Sequence, residues 1–253
     1  MKNDNDSLGN RMKAYEEANL HCLTRRMPLI IRVDGKAFHT LTKKMRFEKP
    51  FDKNMMDAMA DTARALIAEI QGSKLAYVQS DEISILATDY EDLETQAWFD
   101  KNLQKMVSVS ASVATSNFNM YMRTVDDQLP DGLFDSRAFV LPKEEVCNYL
   151  IWRQKDATRN SIQGVGQANF SHKEISGLNN DHLQEKMFQE KQINWNDFDT
   201  WKKRGVCLYK VPVTKTVKNF ITGVEEPVIR TEIKIDWEIP IFTQDRNYVG
   251  KWL

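Results

Sequence analysis

Residues 75–86, Leu-Ala-Tyr-Val-Gln-Ser-Asp-Glu-Ile-Ser-Ile-Leu, contain two short apolar runs separated by four polar residues. Each apolar run has the character of a β-strand, and the polar connection between them predicts the tip of a hairpin. The tip would place Asp81 and Glu82 side by side at the end of a small sheet. This hairpin is the feature from which the rest of the predicted sheet extends.

A second acidic strand end lies upstream, where the apolar run 29–33 ends at Asp34-Gly35. If the two strands are neighbours in one sheet, the carboxylates of Asp34 and Asp81 meet. Two close carboxylates repel each other unless a cation lies between them, and oxygen ligands without nearby His or Cys suit Mg²⁺. Because Mg²⁺ also binds phosphate oxygens, the pattern predicts a magnesium–nucleoside triphosphate site at the edge of the sheet.

The order of predicted elements extends this picture to the whole chain. A strand at 29–33, a helix from Asp52, the hairpin, a helix over about 95–118 and a strand at 138–141 follow one another. This order is typical of an α+β, polymerase-palm-like βαββαβ (ferredoxin-like) antiparallel sheet with helices on one face. A C-terminal helical and β-hairpin extension follows. We predict a palm-like catalytic core at 1–142 and, at 143–253, an extension packed on it as one compact unit.

Composition limits the possible functions. The 35 Lys and Arg residues nearly balance 36 Asp and Glu, so the formal charge of −1 provides no global attraction for nucleic acid. RNA binding would need local basic patches or the combined surface of an oligomer. Cys22, Cys147 and Cys207 form no CxxC pair, and the four histidines have no zinc spacing. No apolar run is long enough to cross a membrane. We therefore predict a cytoplasmic protein with reduced thiols and no membrane partner.

Basic side chains near the acidic strand ends are candidate phosphate ligands, because the planar guanidinium of Arg fits phosphate oxygens. Arg32 and Arg137 flank the predicted site, although Arg137 could simply pair with Asp135. Arg153, Asp156 and Asn160 share one helix face, which fits a buried polar network as well as a functional surface. Weaker candidates for RNA phosphates, which could equally form a solvated face, are Arg25, Arg26, Lys43, Lys44, Lys202 and Arg204.

Five ordered motifs carry a resemblance to a known family. They are residues 31–39 (Ile-Arg-Val-Asp-Gly-Lys-Ala-Phe-His), Lys49-Pro50, residues 79–82 (Gln-Ser-Asp-Glu), residues 134–137 (Phe-Asp-Ser-Arg) and residues 149–154 (Tyr-Leu-Ile-Trp-Arg-Gln). Together they resemble the tRNA-His guanylyltransferase family of 3′–5′ nucleotide-adding polymerases. The resemblance implies a polymerase-like palm, two Mg²⁺ ions, a homotetramer, and ATP- or GTP-dependent activation of a tRNA 5′ end followed by nucleotide addition.

Residue by residue, the resemblance makes Asp34 and Asp81 metal ligands through their carboxylates and Gly35 a metal ligand through its carbonyl. With Glu82, which matches the family's adjacent acidic residue, Asp34 and Asp81 form the predicted catalytic group. The positions that match nucleotide or triphosphate contacts, or follow the metal-binding turn, are Arg32, Gly35, Lys36, Ala37, Phe38, His39, Lys49, Ser80, Arg137 and Asn160.

One segment departs from the enzymes devoted to tRNA-His. Where they have His-Ile-Asn-Asn-Leu-Tyr-Asn, this chain has Thr-Arg-Asn-Ser-Ile-Gln-Gly at 158–164. This resembles the bacterial and archaeal guanylyltransferase-like branch, which adds template-matched nucleotides to repair truncated tRNA 5′ ends. Two alternatives stay open: a palm-type nucleotide cyclase that needs no RNA, and a non-catalytic tRNA-binding protein.

Overall fold

The computed structural model describes residues 7–218 and 225–253; the polar N-terminal residues 1–6 lie outside this part. One antiparallel sheet has the strand order β4-β1-β3-β2-β5-β6. Its strands are β1 (Leu29–Gly35), β2 (Ser73–Gln79), β3 (Glu82–Ala87), β4 (Phe134–Val140), β5 (Val206–Lys218) and β6 (Glu225–Asp236).

The first four strands and two helices form the predicted βαββαβ unit. Helix α3 (Lys53–Glu69) connects β1 to β2, and helix α4 (Leu103–Val125) connects β3 to β4. Both helices pack on the sheet face that carries Ile31, Val33 and Ile85, all fully buried. The resulting order 4-1-3-2 of these strands confirms the ferredoxin-like arrangement of the core.

Helix starts were predicted with mixed success. Helix α3 begins after Asp52, whose side chain accepts a hydrogen bond from the Met55 amide at 3.0 Å, as the sequence predicts. The predicted start of the second long helix near residue 95 is wrong. Phe99 and Asp100 adopt left-handed backbone conformations, so a short 3₁₀ turn precedes the Asn102 cap of α4. Apolar residues recur at helical spacing as far back as Trp98, which is buried although it lies outside α4.

The C-terminal extension covers the opposite face of the sheet. Helix α5 (Lys143–Asn169) packs Val146 and Leu150 against Ile30 and Leu86, and Phe242 joins the same cluster. Helices α3 and α4 therefore cover one face of the sheet, and α5 of the extension covers the other face. Because β5 also pairs with β2, the extension continues the same sheet. The domain boundary at residue 142 stays a prediction.

The remaining described helices are short or peripheral. Ser171 and Glu174 form a capping box at the start of helix α6 (His172–Ile175). None of the helices in the described ranges combines the length and hydropathy that crossing a bilayer requires. The bounds of the remaining helices are α1 (Ser7–Glu17), α2 (Phe38–Lys44), α6 (His172–Ile175), α7 (Asn180–Lys191), α8 (Thr200–Arg204) and α9 (Asn247–Gly250).

Candidate active site

The hairpin tip lies against the end of β1. Strands β2 and β3 are longer than predicted, so only Ser80 and Asp81 form the tip, with Ser80 in a left-handed conformation (φ 49°). The Ser80 hydroxyl donates to the Asp81 carboxylate at 3.0 Å. The Gly35 amide donates to the Asp81 carbonyl, also at 3.0 Å. This backbone bond holds the two acidic strand ends, separate in sequence, next to each other.

Three carboxylates lie in a row across the sheet at this end. Asp34 on β1 is paired with Glu82 on β3 and with Asp135 on β4, and directly paired residues share one face of a sheet. Burial and the charge of Glu82 raise the pKa of Asp34. Burial raises the pKa of Asp81, and the charges of Asp34 and Glu82 raise it further. The site therefore concentrates negative charge that cations must balance.

Two arginines neutralise the outer members of this row. The Arg153 guanidinium donates two hydrogen bonds to Glu82, at 2.7 and 2.6 Å, and both side chains are only 8 % exposed. Arg137 lies 3.1 Å from Asp135 and 3.9 Å from Asp34. Arg32, directly opposite Arg137 in the sheet, has a buried Nε with no hydrogen-bond partner. Arg32 therefore keeps hydrogen-bonding capacity for a ligand.

Asp135 and Arg153 are absent from the catalytic and nucleotide-binding residues predicted above. The Asp135-x-Arg137 spacing on a strand puts both side chains on one face, and this signal was present in the sequence. The Arg153–Glu82 contact joins residues 71 positions apart, so no local pattern could reveal it. On the α5 polar face, Arg153 is part of a buried network, which also includes Asp156 at 3.0 Å, whereas Asn160 is exposed.

The donor set suits Mg²⁺. No cluster of three or more His, Cys, Asp or Glu within 7–218 and 225–253 is arranged to hold a metal ion. Glu82 and Asp135 accept hydrogen bonds from arginines, which leaves the Asp34 and Asp81 carboxylates and the Gly35 carbonyl without an arginine hydrogen bond. Mg²⁺ is commonly bound through one or two carboxylates and completes its shell with waters and substrate phosphates. The residues present therefore fit this ion.

The turn after β1 is anchored in the core. The Phe38 ring is buried and contacts the rings of Phe118 and Phe134, with centroids 5.2 and 5.0 Å away. A Cβ at Gly35 would lie 2.3 Å from the Phe38 ring, so only glycine fits there. Phe38 thus holds the turn in place, whereas three other residues predicted at this turn are exposed: Lys36, Ala37 and His39.

A cavity of about 160 Å³ adjoins the hairpin tip. Ser80 forms its end nearest the acidic row, and Asn160 of α5 and Lys202 and Arg204 of α8 contribute polar groups. The Arg204 carbonyl accepts a hydrogen bond from the Tyr77 hydroxyl at 2.7 Å, and the Arg204 Nε is buried without a partner. The predicted residues Ser80, Asn160, Lys202 and Arg204 therefore line one concave surface. Apolar walls are supplied by Pro50, Phe51, Met55, Met56 and Trp201.

Other predicted residues lie outside this cavity. Lys49, next to its Pro50 wall, is exposed. Lys43 and Lys44 are exposed in the last turn of α2. Arg25 binds Asp89 at 2.8 Å, and the Arg26 guanidinium donates to the carbonyl of Leu93. Both arginines thus hold the segment after β3 in place. This role is structural, whereas the sequence analysis suggested both as weak candidates for RNA contacts.

The fold and the site define an α+β protein of the polymerase-palm type, with acidic strand ends beside a cationic cavity. Residues 9–142 match the family described as tRNAHis guanylyltransferase (Thg1). The chain is 31 % identical over 220 residues to the tRNA(His) guanylyltransferase of Schizosaccharomyces pombe, and the aligned region covers 80 % of each protein. The chain belongs to the tRNAHis guanylyltransferase family, and it is a nucleotidyltransferase.

Solved structures agree with this assignment. A bacterial tRNA(His) guanylyltransferase-like protein in complex with ATP superposes with a TM-score of 0.86 at 48 % identity, over 97 % of this chain and 98 % of that one. A bacterial guanylyltransferase-like protein in complex with GTP has a TM-score of 0.78 at 43 % identity, over 97 % and 99 %. The predicted recognition and fold class are confirmed.

Proposed function

We propose that this protein is a 3′–5′ nucleotidyltransferase that adds GTP or template-matched nucleotides to the 5′ end of tRNA, with repair of truncated ends as its task. The family assignment and the nucleotides bound by the bacterial relatives support the substrate class. The Thr-Arg-Asn-Ser-Ile-Gln-Gly segment at 158–164 supports the repair branch over strict use of tRNA-His.

One observation carries the proposal. Arg32 and Arg204 each have a buried guanidinium nitrogen without a hydrogen-bond partner, and they lie on the two sides of the acidic hairpin tip. Unpartnered buried donors are unfavourable unless a ligand satisfies them. A polyphosphate has many acceptor oxygens and so suits both arginines and the predicted cations around the tip.

The chain's own residues position the reactants. Asp34, Asp81 and the Gly35 carbonyl would hold two Mg²⁺ ions, which when bound activate the attacking 3′-hydroxyl and balance charge on the leaving phosphate. Arg32, Lys49 and Arg137 offset triphosphate charge. Ser80 and Asn160, in the wall of the cavity, orient the nucleotide beside the tip. Nucleotidyl transfer needs mainly such positioning and charge neutralisation.

The state of the RNA end sets the first step. A 5′-monophosphate end is first adenylylated by ATP, with loss of pyrophosphate, so that a good leaving group is present for the attack. A 5′-triphosphate end already carries its leaving group and is extended directly. In both cases the 3′-hydroxyl of the incoming nucleotide attacks the 5′ α-phosphorus of the tRNA, which releases AMP from the adenylylated end or pyrophosphate from the triphosphate end.

Assembly and location complete the proposal. A homotetramer could align the basic residues of several subunits along one tRNA, which a near-neutral single chain needs. The three cysteines are free, as a reducing cytoplasm would leave them.

A truncated tRNA, radiolabelled at its 5′ phosphate, tests the proposal when incubated with Mg²⁺, ATP and each nucleotide in turn. We expect the 5′ end to grow by the base that matches the opposite strand. A cyclic product from GTP alone would favour a palm-type nucleotide cyclase. Tight tRNA binding without addition, unchanged when Asp34 is replaced, would identify a non-catalytic tRNA-binding protein.

A further inference from the structure

A second cavity lies at the opposite end of the sheet from the acidic tip. It has a volume of about 550 Å³ and opens where β2 begins and β3 ends. Seven-residue β2 separates it from the tip by roughly 20 Å along the strand. Four lysines line this lysine cavity: Lys74, Lys143, Lys210 and Lys251. None of them belongs to the site described above.

Positive charge in the lysine cavity is only partly neutralised. Its one acidic side chain among the described residues, Glu91, pairs with Lys74 and accepts a hydrogen bond from Thr88. Lys210 donates to the Ser73 hydroxyl at 3.1 Å. Within the described ranges, no carboxylate lies at ion-pair distance from Lys210 or Lys251. Burial lowers the pKa of Lys210, and the charge of Lys74 lowers it further.

Aromatic rings lie beside the other two ammonium groups, which belong to the exposed residues Lys143 and Lys251. Lys143 lies 4.5 Å from the centroid of the Tyr90 ring and donates to the backbone oxygen of Leu253 at 2.9 Å. Lys251 lies 5.1 Å from the Trp252 ring. The Tyr90 hydroxyl and the Trp252 indole nitrogen are both buried without a hydrogen-bond partner. The walls thus provide donors and cations, and Glu91, the acidic side chain among the described lining residues, is already engaged by Lys74.

A ligand for these walls must be anionic and rich in acceptor oxygens. A carboxylate would bring two acceptor oxygens, whereas a phosphate brings more oxygens and suits several lysines at once. We propose that the lysine cavity binds a phosphate group, carried either by an RNA backbone or by a small phosphorylated molecule. The site is separate from nucleotide addition, and it does not depend on the function proposed above.

Protection from chemical modification tests the wild-type protein. Lysines are labelled by reductive methylation with and without inorganic phosphate or a tRNA transcript, and labelling is quantified by peptide mass spectrometry. We expect slower labelling of Lys210 and Lys251, with exposed Lys13 and Lys173 unaffected as internal controls. Protection by tRNA at concentrations where phosphate has no effect identifies the RNA backbone as the source. Protection by phosphate alone identifies a small ligand. No protection by either probe overturns the proposal.

A double substitution tests the same site independently. K210Q/K251Q removes two of the cavity's ammonium groups that lie in no ion pair with a described Asp or Glu side chain, and K13Q/K173Q is the matched control with the same change in charge. If RNA is the source, tRNA binding by K210Q/K251Q weakens about tenfold while the control stays near wild type. If a small phosphate is the source, the loss occurs in calorimetric phosphate binding instead. Equal effects of both double substitutions would show only a general charge effect and would reject the site.

Discussion

At the scale of single residues, the site depends on Asp34 and Asp81, whose carboxylates have raised pKa values from burial and from neighbouring negative charge. Asp34→Ala or Asp81→Ala should abolish nucleotide addition, a loss of at least about 10³-fold, because each change removes a proposed metal ligand. Stability should not fall, since each change also removes repulsion. The rate of nucleotide addition to the tRNA 5′ end measures the loss of activity, and thermal unfolding measures stability. Asp127→Ala, which removes an exposed carboxylate elsewhere, is the control. Near-normal turnover by Asp34→Ala or by Asp81→Ala would refute the metal assignment.

Glu82 has a different expected role because Arg153 binds both of its carboxylate oxygens in a buried pair. Glu82→Gln should destabilise the protein by about 3 kcal/mol, since it leaves a buried guanidinium without its main counter-charge. Denaturant unfolding measures this loss. Asp131→Asn breaks the exposed pair with Arg123 and should cost no more than about 1 kcal/mol. A Glu82→Gln variant as stable as the wild type would show that this pair does not hold α5 to the sheet.

At the scale of elements, the backbone at Gly205 fixes the junction between α8 and β5 beside the cavity. Gly205 has φ 80° and ψ −163°, a region that only glycine adopts readily, and a Cβ there would lie 2.2 Å from the Val78 carbonyl oxygen. Gly205→Ala should destabilise the protein by more than about 3 kcal/mol. Gly177 has a similar φ of 81° with open space around it, so Gly177→Ala should cost only about 1 kcal/mol. Equal losses in chemical denaturation would mean that the close approach to Val78 is unimportant.

The segment after β3 depends on Asp89. Burial raises the pKa of this carboxyl, but hydrogen bonds from the Arg26 amide, Arg25 and buried Lys101 outweigh burial and bring the pKa below its usual value. Its stabilisation is therefore complete above the unfolded-state pKa, about 3.9, and is lost as the pH falls through the lower folded-state value. Unfolding free energies at several pH values should show wild type and Asp89→Asn converging in acid. A difference that stays constant to the lowest pH would contradict this account.

Elements with strong local signals were predictable, and those set by distant contacts were not. The hairpin at 75–86 and the Asp52 helix cap are encoded by neighbouring residues, so sequence alone located both. The start of α4 was missed because Phe99 and Asp100 leave the helical conformation within an apolar spacing that continues to Trp98. For the site, the Asp34–Asp81 convergence followed from strand order. The Arg153–Glu82 pair did not, because α5 reaches the second face of the sheet only in three dimensions.

At the scale of the whole molecule, charge is divided between distinct surfaces. The formal charge is −1, yet the lysine cavity and the residues around Arg204 are cationic while the hairpin tip is acidic. The tRNA of the proposed function would therefore be held by local basic groups, each of which displaces counterions from the phosphates that it contacts. The separation of charge explains how a protein with almost no net charge can belong to a family that acts on tRNA.

This division makes a prediction about salt. If each subunit makes about three or four phosphate contacts, tRNA affinity should fall about 30-fold or more between roughly 50 and 200 mM salt. Filter binding at several salt concentrations, with sedimentation to follow the oligomeric state, provides the measurement. If a tetramer lines up the contacts, the slope should become shallower when the subunits are separated, because fewer lysines and arginines then reach one RNA. A flat response for the intact assembly would mean that base stacking or hydrogen bonds, not phosphate contacts, hold the tRNA.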